Sequence, residues 1–220
     1  MKNLISTFLL VSTPLLGFSA HAENLIRNGS FEDASESPCS HTALYADDIA
    51  LNGWEIVAGS VDYVGGYWQH ADGNRSLGMN GLEAGTIAQL VPTKPGTEYT
   101  VLFDLAGNPS DDANPIKSLE VSASGQSKVF TFDASSSTRR RMGWETEVEF
   151  NFTAKKRLTE LRFTSLNHAS GGPALDNVRM SATDQGHVTA RIQSVAPSRA
   201  TCINFTTGQS VSIKLKGTSS

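Results

Sequence analysis

Apolar residues alternate with polar ones through the middle of the chain, and this spacing constrains the fold more than any other feature. From residue 86 to 180 the pattern has a period of two, which places one set of side chains on a buried strand face and the other in water. The alternating residues are Tyr99, Val101, Phe103 and Leu105, then Leu119 and Val121, then Val148, Phe150 and Phe152, then Leu161 and Phe163, and finally Val178 and Met180. The spacing predicts several short β-strands.

Turn-forming residues separate these runs. They are Pro95-Gly96, Gly107-Asn108-Pro109, Ser124-Gly125 and Gly171-Gly172-Pro173. A helical period does not extend over 11 or more residues anywhere, and we expect at most one short helix, over Tyr45–Leu51. Many short strands at this spacing predict an all-β sandwich or barrel.

Composition excludes several classes of protein. The 220 residues are 39% hydrophobic and 18% charged, which does not fit a disordered chain or a coiled coil. The net charge of -4 argues against nucleic acid as a partner. Two cysteines, Cys39 and Cys202, cannot form a disulfide-dense scaffold, and the sequence does not decide whether they pair.

The two ends of the sequence differ from the alternating region. Lys2, the apolar stretch Leu4–Phe18 and Ala20-His21-Ala22 are typical of a secretory signal, which predicts residues 1–22 as a signal peptide and the mature protein as secreted, without a membrane span. Residues 23–184 are expected to form the sandwich. Residues 185–220 predict a short strand-rich C-terminal extension, either an added edge or an incomplete second β module.

Local catalytic signatures are missing from the sequence. It has no G-x-S-x-G, S-x-x-K, H-E-x-x-H or C-x-x-C motif, and its histidines lack metal-ligand spacing. A carbohydrate-active enzyme remains a lesser alternative, with Asp104 and Asp111 as candidate acids. The expected protein is therefore not an enzyme.

Two motifs each place a carboxylate beside a tight turn. Glu32 ends the stretch Asn24–Glu32, and Asp176 lies within Gly172–Val178. If these segments are the first and last strands and lie side by side, the two carboxylates meet. Together with turn carbonyls they could hold a structural Ca²⁺, because Ca²⁺ takes oxygen ligands. The alternative is that both carboxylates accept hydrogen bonds from loop amides.

Ordered motifs along Asn24–Ser181 resemble those of the bacterial choice-of-anchor C proteins, which are related to the plant cell-wall family called domain of unknown function 642. The motifs are N-L-I-x-N-G-S-F-E, G-W, G-S-V-D-Y, Y-W-Q-x-A-D-G, L-x-x-N-G, Y-T-V-x-F-D-L-A-G-N, M-G-W and G-P-A-L-D-N-V. The resemblance implies a galactose-binding-like jelly roll of antiparallel strands. It also implies that Glu32 and Asp176 flank a structural calcium, and that the partner is a polysaccharide or glycoconjugate, or a cell-wall protein.

The segment Asp62–Arg75 is the candidate sugar site, because sugar recognition combines an aromatic plane with polar groups. We expect Tyr67 or Trp68 to stack on a sugar. The side chains expected near the hydroxyl groups are Gln69, Asp72, Arg75 and Asn80. The alternative is that Trp68 is a core residue, as we expect for Trp54 and Trp144.

Arg139, Arg140 and Arg141 form a cationic run in an acidic protein. They could bind a uronate, because guanidinium pairs bidentately with carboxylate, or they could form a solvated loop. The leading function is non-catalytic binding of extracellular or cell-wall carbohydrate. The alternative is a structural or adhesive surface module that binds another protein.

Overall fold

The computed structural model describes residues 23–110, 114–168 and 170–183. The predicted signal peptide, the C-terminal extension, Asp111 and Cys202 lie outside these residues. Cys39 is exposed. None of the described residues belongs to a helix long and apolar enough to cross a membrane.

Eleven strands form two antiparallel sheets, as the alternation and the resemblance predict. The strands of the first sheet are β1 (His41–Tyr45), β3 (Ser60–Val64), β4 (Ser76–Gly78), β6 (Glu98–Gly107), β9 (Glu145–Thr153) and β11 (Pro173–Ala182). The strands of the second sheet are β2 (Glu55–Ala58), β5 (Thr86–Pro92), β7 (Ile116–Ala123), β8 (Gln126–Asp133) and β10 (Leu158–Ser165). Their spatial orders are β1-β3-β4-β11-β6-β9 and β2-β5-β10-β7-β8, and the fold is a jelly-roll sandwich.

Aromatic rings join the two sheets in the core. Phe103 on β6 meets Phe163 on β10 edge-on at 5.4 Å between ring centroids, and Phe130 on β8 at 5.2 Å. Trp54 is buried, as expected from the sequence, and contacts Phe163 at 6.0 Å. The apolar residues of the alternating runs therefore form the inner layer of the sandwich.

The predicted helix over Tyr45–Leu51 is wrong. Tyr45 ends β1, and Asp48 folds the chain back because its carboxylate accepts the Tyr45 N–H at 2.7 Å while its own N–H donates to the Tyr45 carbonyl at 3.0 Å. Asp47 has a φ of 72°, which a right-handed helix does not allow. Local side-chain bonding of this kind competes with helix formation.

The N-terminal motif is not a strand either, although it does lie beside the last one. The Leu25 N–H donates to the Met180 carbonyl at 2.7 Å, and the Val178 N–H donates to the Gly29 carbonyl at 2.8 Å. Asn28 and Phe31 have φ values of 52° and 59°, so the segment turns too sharply for a continuous ladder. The expected neighbourhood of the two motifs is present, in a different backbone conformation.

Gly29→Ala is expected to destabilise the sandwich, because a Cβ at this position would lie 1.9 Å from the carbonyl oxygen of Val178. Backbone atoms of β11 would have to move, and we expect the free energy of unfolding to fall by about 3 kcal/mol. Gly96→Ala is the control, since a Cβ there has no atom within 4 Å and only the positive φ costs about 1 kcal/mol. Urea unfolding measures both losses, and equal losses would contradict the close approach at Gly29.

Candidate functional site

Two loops that are distant in sequence contact each other. The aromatic loop, residues 65–75, connects β3 to β4, and the arginine turn, residues 138–141, precedes β9. In the arginine turn, Thr138 and Arg141 exchange two backbone hydrogen bonds of 2.9 Å, so Arg139 and Arg140 lie at its tip. These backbone hydrogen bonds therefore fix the positions of the Cα atoms of the two arginines.

Gln69 is the main connection between the two loops. Its backbone N–H donates to the Arg139 carbonyl at 2.8 Å, and its side-chain Oε1 accepts the Met142 N–H at 3.2 Å. Its backbone carbonyl accepts the indole N–H of the half-buried Trp144 at 2.9 Å. Three bonds from one residue hold the arginine turn against the aromatic loop.

Tyr67 lies beneath the arginine turn. The Arg139 Cζ lies 3.9 Å from the centre of the Tyr67 ring, which is a cation–π contact. The Tyr67 hydroxyl and the Arg139 Nη2 both lie 3.2 Å from the hydroxyl oxygen of Ser110. The His41 ring lies 4.7 Å from the Tyr67 ring, measured between centroids. Arg139 is thus held over Tyr67 by two contacts.

A surface depression of about 420 Å³ lies between the aromatic loop and the arginine turn. Its lining consists of Gly66, Tyr67, Trp68, Gln69, Arg139 and Arg140. Guanidinium and amide groups beside an aromatic ring can bind oxygen-rich ligands, because they donate hydrogen bonds while the ring provides apolar contact.

The predicted sugar-site residues are only partly brought together. Tyr67, Trp68 and Gln69 line the depression. Trp68 is nevertheless a core residue with 5% of its surface exposed, and its indole N–H donates to Ser76 Oγ at 2.9 Å. This burial favours the core interpretation of Trp68, and a stacking role for its ring stays a prediction.

Asn80, Asp72 and Arg75 do not line the depression. Asn80 is buried at 1% exposure, and its Nδ2 donates to the Asn167 carbonyl at 2.8 Å. Asp72 is exposed, and the guanidinium of Arg75 donates to Ser37 Oγ at 2.9 Å. Asn80 is thus engaged inside the fold and Arg75 points to the segment before β1, and contacts of these residues with a sugar stay predictions.

His41 and Ser110 join the site without a signal in the sequence. Neither residue belongs to the shared motifs, although both lie next to the aromatic loop in space. Along the chain, His41 is 26 residues from Tyr67, and Ser110 is 43 residues from it. The arginine run was identified as cationic from the sequence, but its contact with the aromatic loop depends on long-range packing.

The carboxylates of Glu32 and Asp176 both hold the aromatic loop from below. Asp176 is fully buried, and its Oδ2 accepts the backbone N–H groups of Ala71 and Asp72, each at 2.9 Å. Glu32 Oε1 accepts the N–H groups of Asn74 and Arg75 at 2.6 and 2.8 Å. The two motifs therefore meet at one loop, through amide bonding.

Gly73 lets the aromatic loop come this close to Glu32. Its φ is 59°, and a Cβ on this residue would lie 2.3 Å from Glu32 Oε1. Only glycine combines this left-handed conformation with so little space.

The donor set does not make a calcium cage in this geometry. Ca²⁺ takes six to eight oxygens, whereas backbone N–H groups point at both oxygens of Asp176, with Asn177 donating to Oδ1 at 2.7 Å. No three acidic, histidine or cysteine side chains among the described residues form a metal-binding group. Calcium at Glu32 and Asp176 stays a prediction from the resemblance.

From the amide bonding, we expect a chelator to leave the melting temperature unchanged. Both oxygens of Asp176 and the Oε1 of Glu32 already accept backbone N–H groups, so removal of divalent ions should leave the contacts that hold the loop in place. Thermal unfolding in metal-free buffer, with and without added chelator and then with added calcium, measures this. A melting temperature that falls with chelator and recovers with calcium would contradict it and support the calcium prediction.

Burial of Asp176 makes the stability of the fold depend on pH. Burial raises the pKa of this carboxyl from 3.8 to about 7, although three backbone N–H bonds oppose the shift. Between about pH 4 and 7 the native protein therefore holds a proton that the unfolded chain has released, so the contribution of Asp176 to the free energy of unfolding decreases as pH rises.

We expect Asp176→Asn to remove this decrease. Burial lowers the pKa of the nearby His70, which acts in the opposite direction as pH rises, so wild type and variant must be compared at each pH. Denaturant unfolding at pH 5, 6 and 7 should give a steeper loss of stability with pH for the wild type than for the variant. Parallel pH profiles would contradict the buried, protonatable Asp176.

Comparisons with known proteins place the chain among relatives. Halomucin from Haloquadratum walsbyi (strain DSM 16790 / HBSQ001) is 34% identical over 166 residues, which is 73% of this chain. The chain spans only 2% of the length of that protein.

Similar solved structures include carbohydrate-binding modules. A family 35 module from Clostridium thermocellum is 16% identical with a TM-score of 0.40, covering 66% of this chain and 99% of that one. The structure described as Family 16 Carbohydrate Binding Module-2 is 17% identical with a TM-score of 0.47, covering 71% and 99% of the two chains. These values are too low to transfer a ligand to this chain.

A family model gives the clearest assignment. The model described as protein of unknown function (DUF642) matches residues 24–181, which includes all eleven strands except the last residue of β11. The ordered motifs of the sequence lie within the same range. The chain belongs to the DUF642 family.

Proposed function

We propose that the protein is a secreted, non-catalytic β-sandwich that binds extracellular carbohydrate at the depression between the aromatic loop and the arginine turn. The observation that carries this proposal is the depression itself, where Tyr67, Gln69 and two arginines converge. Its volume of about 420 Å³ lies within the range of small-ligand sites.

Preorganisation supports a binding role. Asp176 and Glu32 hold the aromatic loop from below through hydrogen bonds to its backbone N–H groups. The three hydrogen bonds of Gln69 connect this loop to the arginine turn and the residues that follow it. A site that is ordered before the ligand arrives loses less conformational entropy on binding. Sugar hydroxyl groups both donate and accept hydrogen bonds, and the polar groups around the depression can do the same.

The candidate acid Asp104 is engaged in the fold. It is buried at 2% exposure, its Oδ1 accepts the Glu147 N–H at 2.9 Å, and its Oδ2 accepts Asn177 Nδ2 at 3.0 Å. A glycosidase acid must reach the scissile bond from an open cleft. Asp104 supports the packing of β9 on β6, which favours binding over hydrolysis as the function of this chain.

An extracellular location is part of the proposal and is supported by the signal-like sequence before residue 23. The adhesive alternative, contact with a cell-wall protein, uses the same location and differs in its ligand. A binding experiment with glycans and one with cell-wall proteins therefore distinguish the two functions.

Tyr67→Ala is expected to weaken glycan binding by at least about tenfold, because it removes the ring and the surface on which Arg139 lies. A glycan array followed by affinity electrophoresis with the retained polysaccharides measures the change. Tyr45→Ala is the control, since it removes another tyrosine ring, which is exposed at the other end of β1 from His41 and does not line the depression.

Retention of the same glycans by Tyr67→Ala and the wild type would contradict this site. Release of reducing sugar from a retained polysaccharide would contradict the non-catalytic role. Absence of any retained glycan, together with a cross-linked cell-wall protein, would favour the adhesive alternative.

A further inference from the structure

The arginine turn concentrates positive charge on a protein whose net charge is -4. Arg139, Arg140 and Arg141 are all exposed. Ion pairs elsewhere in the described ranges include Arg162 with Glu160 and Arg179 with Glu147. Neither pair involves the arginine turn, so its charges are not neutralised by a carboxylate of the described fold.

Arg139 is held in place by aromatic and hydroxyl contacts instead of an acid. Its guanidinium lies over Tyr67 at 3.9 Å, and its Nη2 lies 3.2 Å from Ser110 Oγ. A guanidinium has five N–H donors, so one bond and one ring contact leave most of its donor capacity for a ligand. Two contacts thus position the side chain, and it is still able to donate.

The position of Arg139 changes what a ligand meets at Tyr67. The guanidinium covers the ring, so a sugar that enters on this side contacts N–H groups before it reaches an aromatic face. Stacking on an open ring is the usual basis for binding neutral sugars. Here the available chemistry is charge-assisted hydrogen bonding, which is stronger for anionic acceptors.

We infer that the depression binds the anionic group of an acidic glycan, a uronate carboxylate or a sulfate ester, between Arg139 and Arg140. This inference rests on the proposed function and narrows it to charged glycans. Both arginines line the depression, and guanidinium matches carboxylate and sulfate oxygens in pairs. Gln69 and the Tyr67 hydroxyl lie beside them for contacts to the sugar hydroxyls.

The test compares Arg140→Gln with Arg141→Gln. Both variants lose one positive charge at adjacent positions, but only Arg140 lines the depression. The probes are an oligogalacturonate, its fully methyl-esterified form, and a sulfated dextran with unsulfated dextran as its control. Calorimetric titration at low and high salt gives the affinities, and thermal unfolding shows that each variant is folded.

We expect the wild type to bind at least one charged probe and to bind its uncharged form at least about tenfold more weakly, because one charge-assisted hydrogen bond contributes about 1.4 kcal/mol or more. Arg140→Gln should weaken binding of that probe about tenfold, and Arg141→Gln by no more than about twofold. Salt should weaken the wild type more than Arg140→Gln. The preferred probe distinguishes a uronate from a sulfate ester.

Two results would overturn the inference. Equal binding of charged and uncharged probes would show that the arginines do not select for charge, while leaving the proposed carbohydrate function intact. Equal losses in Arg140→Gln and Arg141→Gln would show non-specific attraction to the turn instead of binding in the depression. If the protein binds none of the charged probes, none of the neutral probes and no glycan on the array, both the inference and the proposed function fail.

Discussion

The buried carboxylate of Asp176 is the contact on which the arrangement of the site depends. It lies on β11, at the centre of the first sheet, and it accepts backbone N–H groups from the start of the 71–75 segment. Glu32 holds the end of the same segment. Because a buried carboxyl group without hydrogen-bond partners destabilises the native state, these loop N–H groups stabilise the fold around Asp176 as well as the loop itself.

This arrangement explains why two remote sequence motifs act together. The N-terminal motif does not add a regular strand, but it runs along β11 and brings Glu32 beside the loop that Asp176 also holds. The Tyr63 hydroxyl and the Trp54 indole N–H donate to the Phe31 and Asn28 carbonyls, each at 2.9 Å, and fix the turn between them. The motifs therefore specify a support for the loop between β3 and β4.

Sequence reasoning predicted the fold well where the apolar pattern was regular. Strands β6, β7, β9, β10 and β11 follow the period-two runs, because alternation directly reports which face is buried. It failed at Tyr45–Leu51, where a carboxylate one turn away bonds the backbone, and at Phe31, whose φ of 59° no apolar pattern can indicate. Local hydrogen bonding and positive φ values decide such positions, and neither is visible in hydrophobicity.

The site was predicted only in outline, for a related reason. The sequence identified the aromatic segment and the arginine run separately, but Gln69 joins them across about 70 residues. Two neighbouring aromatics, Tyr67 and Trp68, share the same local composition, and only packing decides that Trp68 enters the core while Tyr67 supports Arg139. Long-range contacts thus determine which of the predicted residues can meet a ligand.

The support of the 71–75 segment also has a consequence for how this surface can diverge among relatives. Glu32 and Asp176 bind main-chain N–H groups, which every residue except proline possesses. Asp72 and Asn74 therefore keep the loop in place whatever their own side chains are, and both of those side chains are exposed. Substitutions at these two positions can therefore change the chemistry of the outer loop surface while the backbone beneath stays anchored.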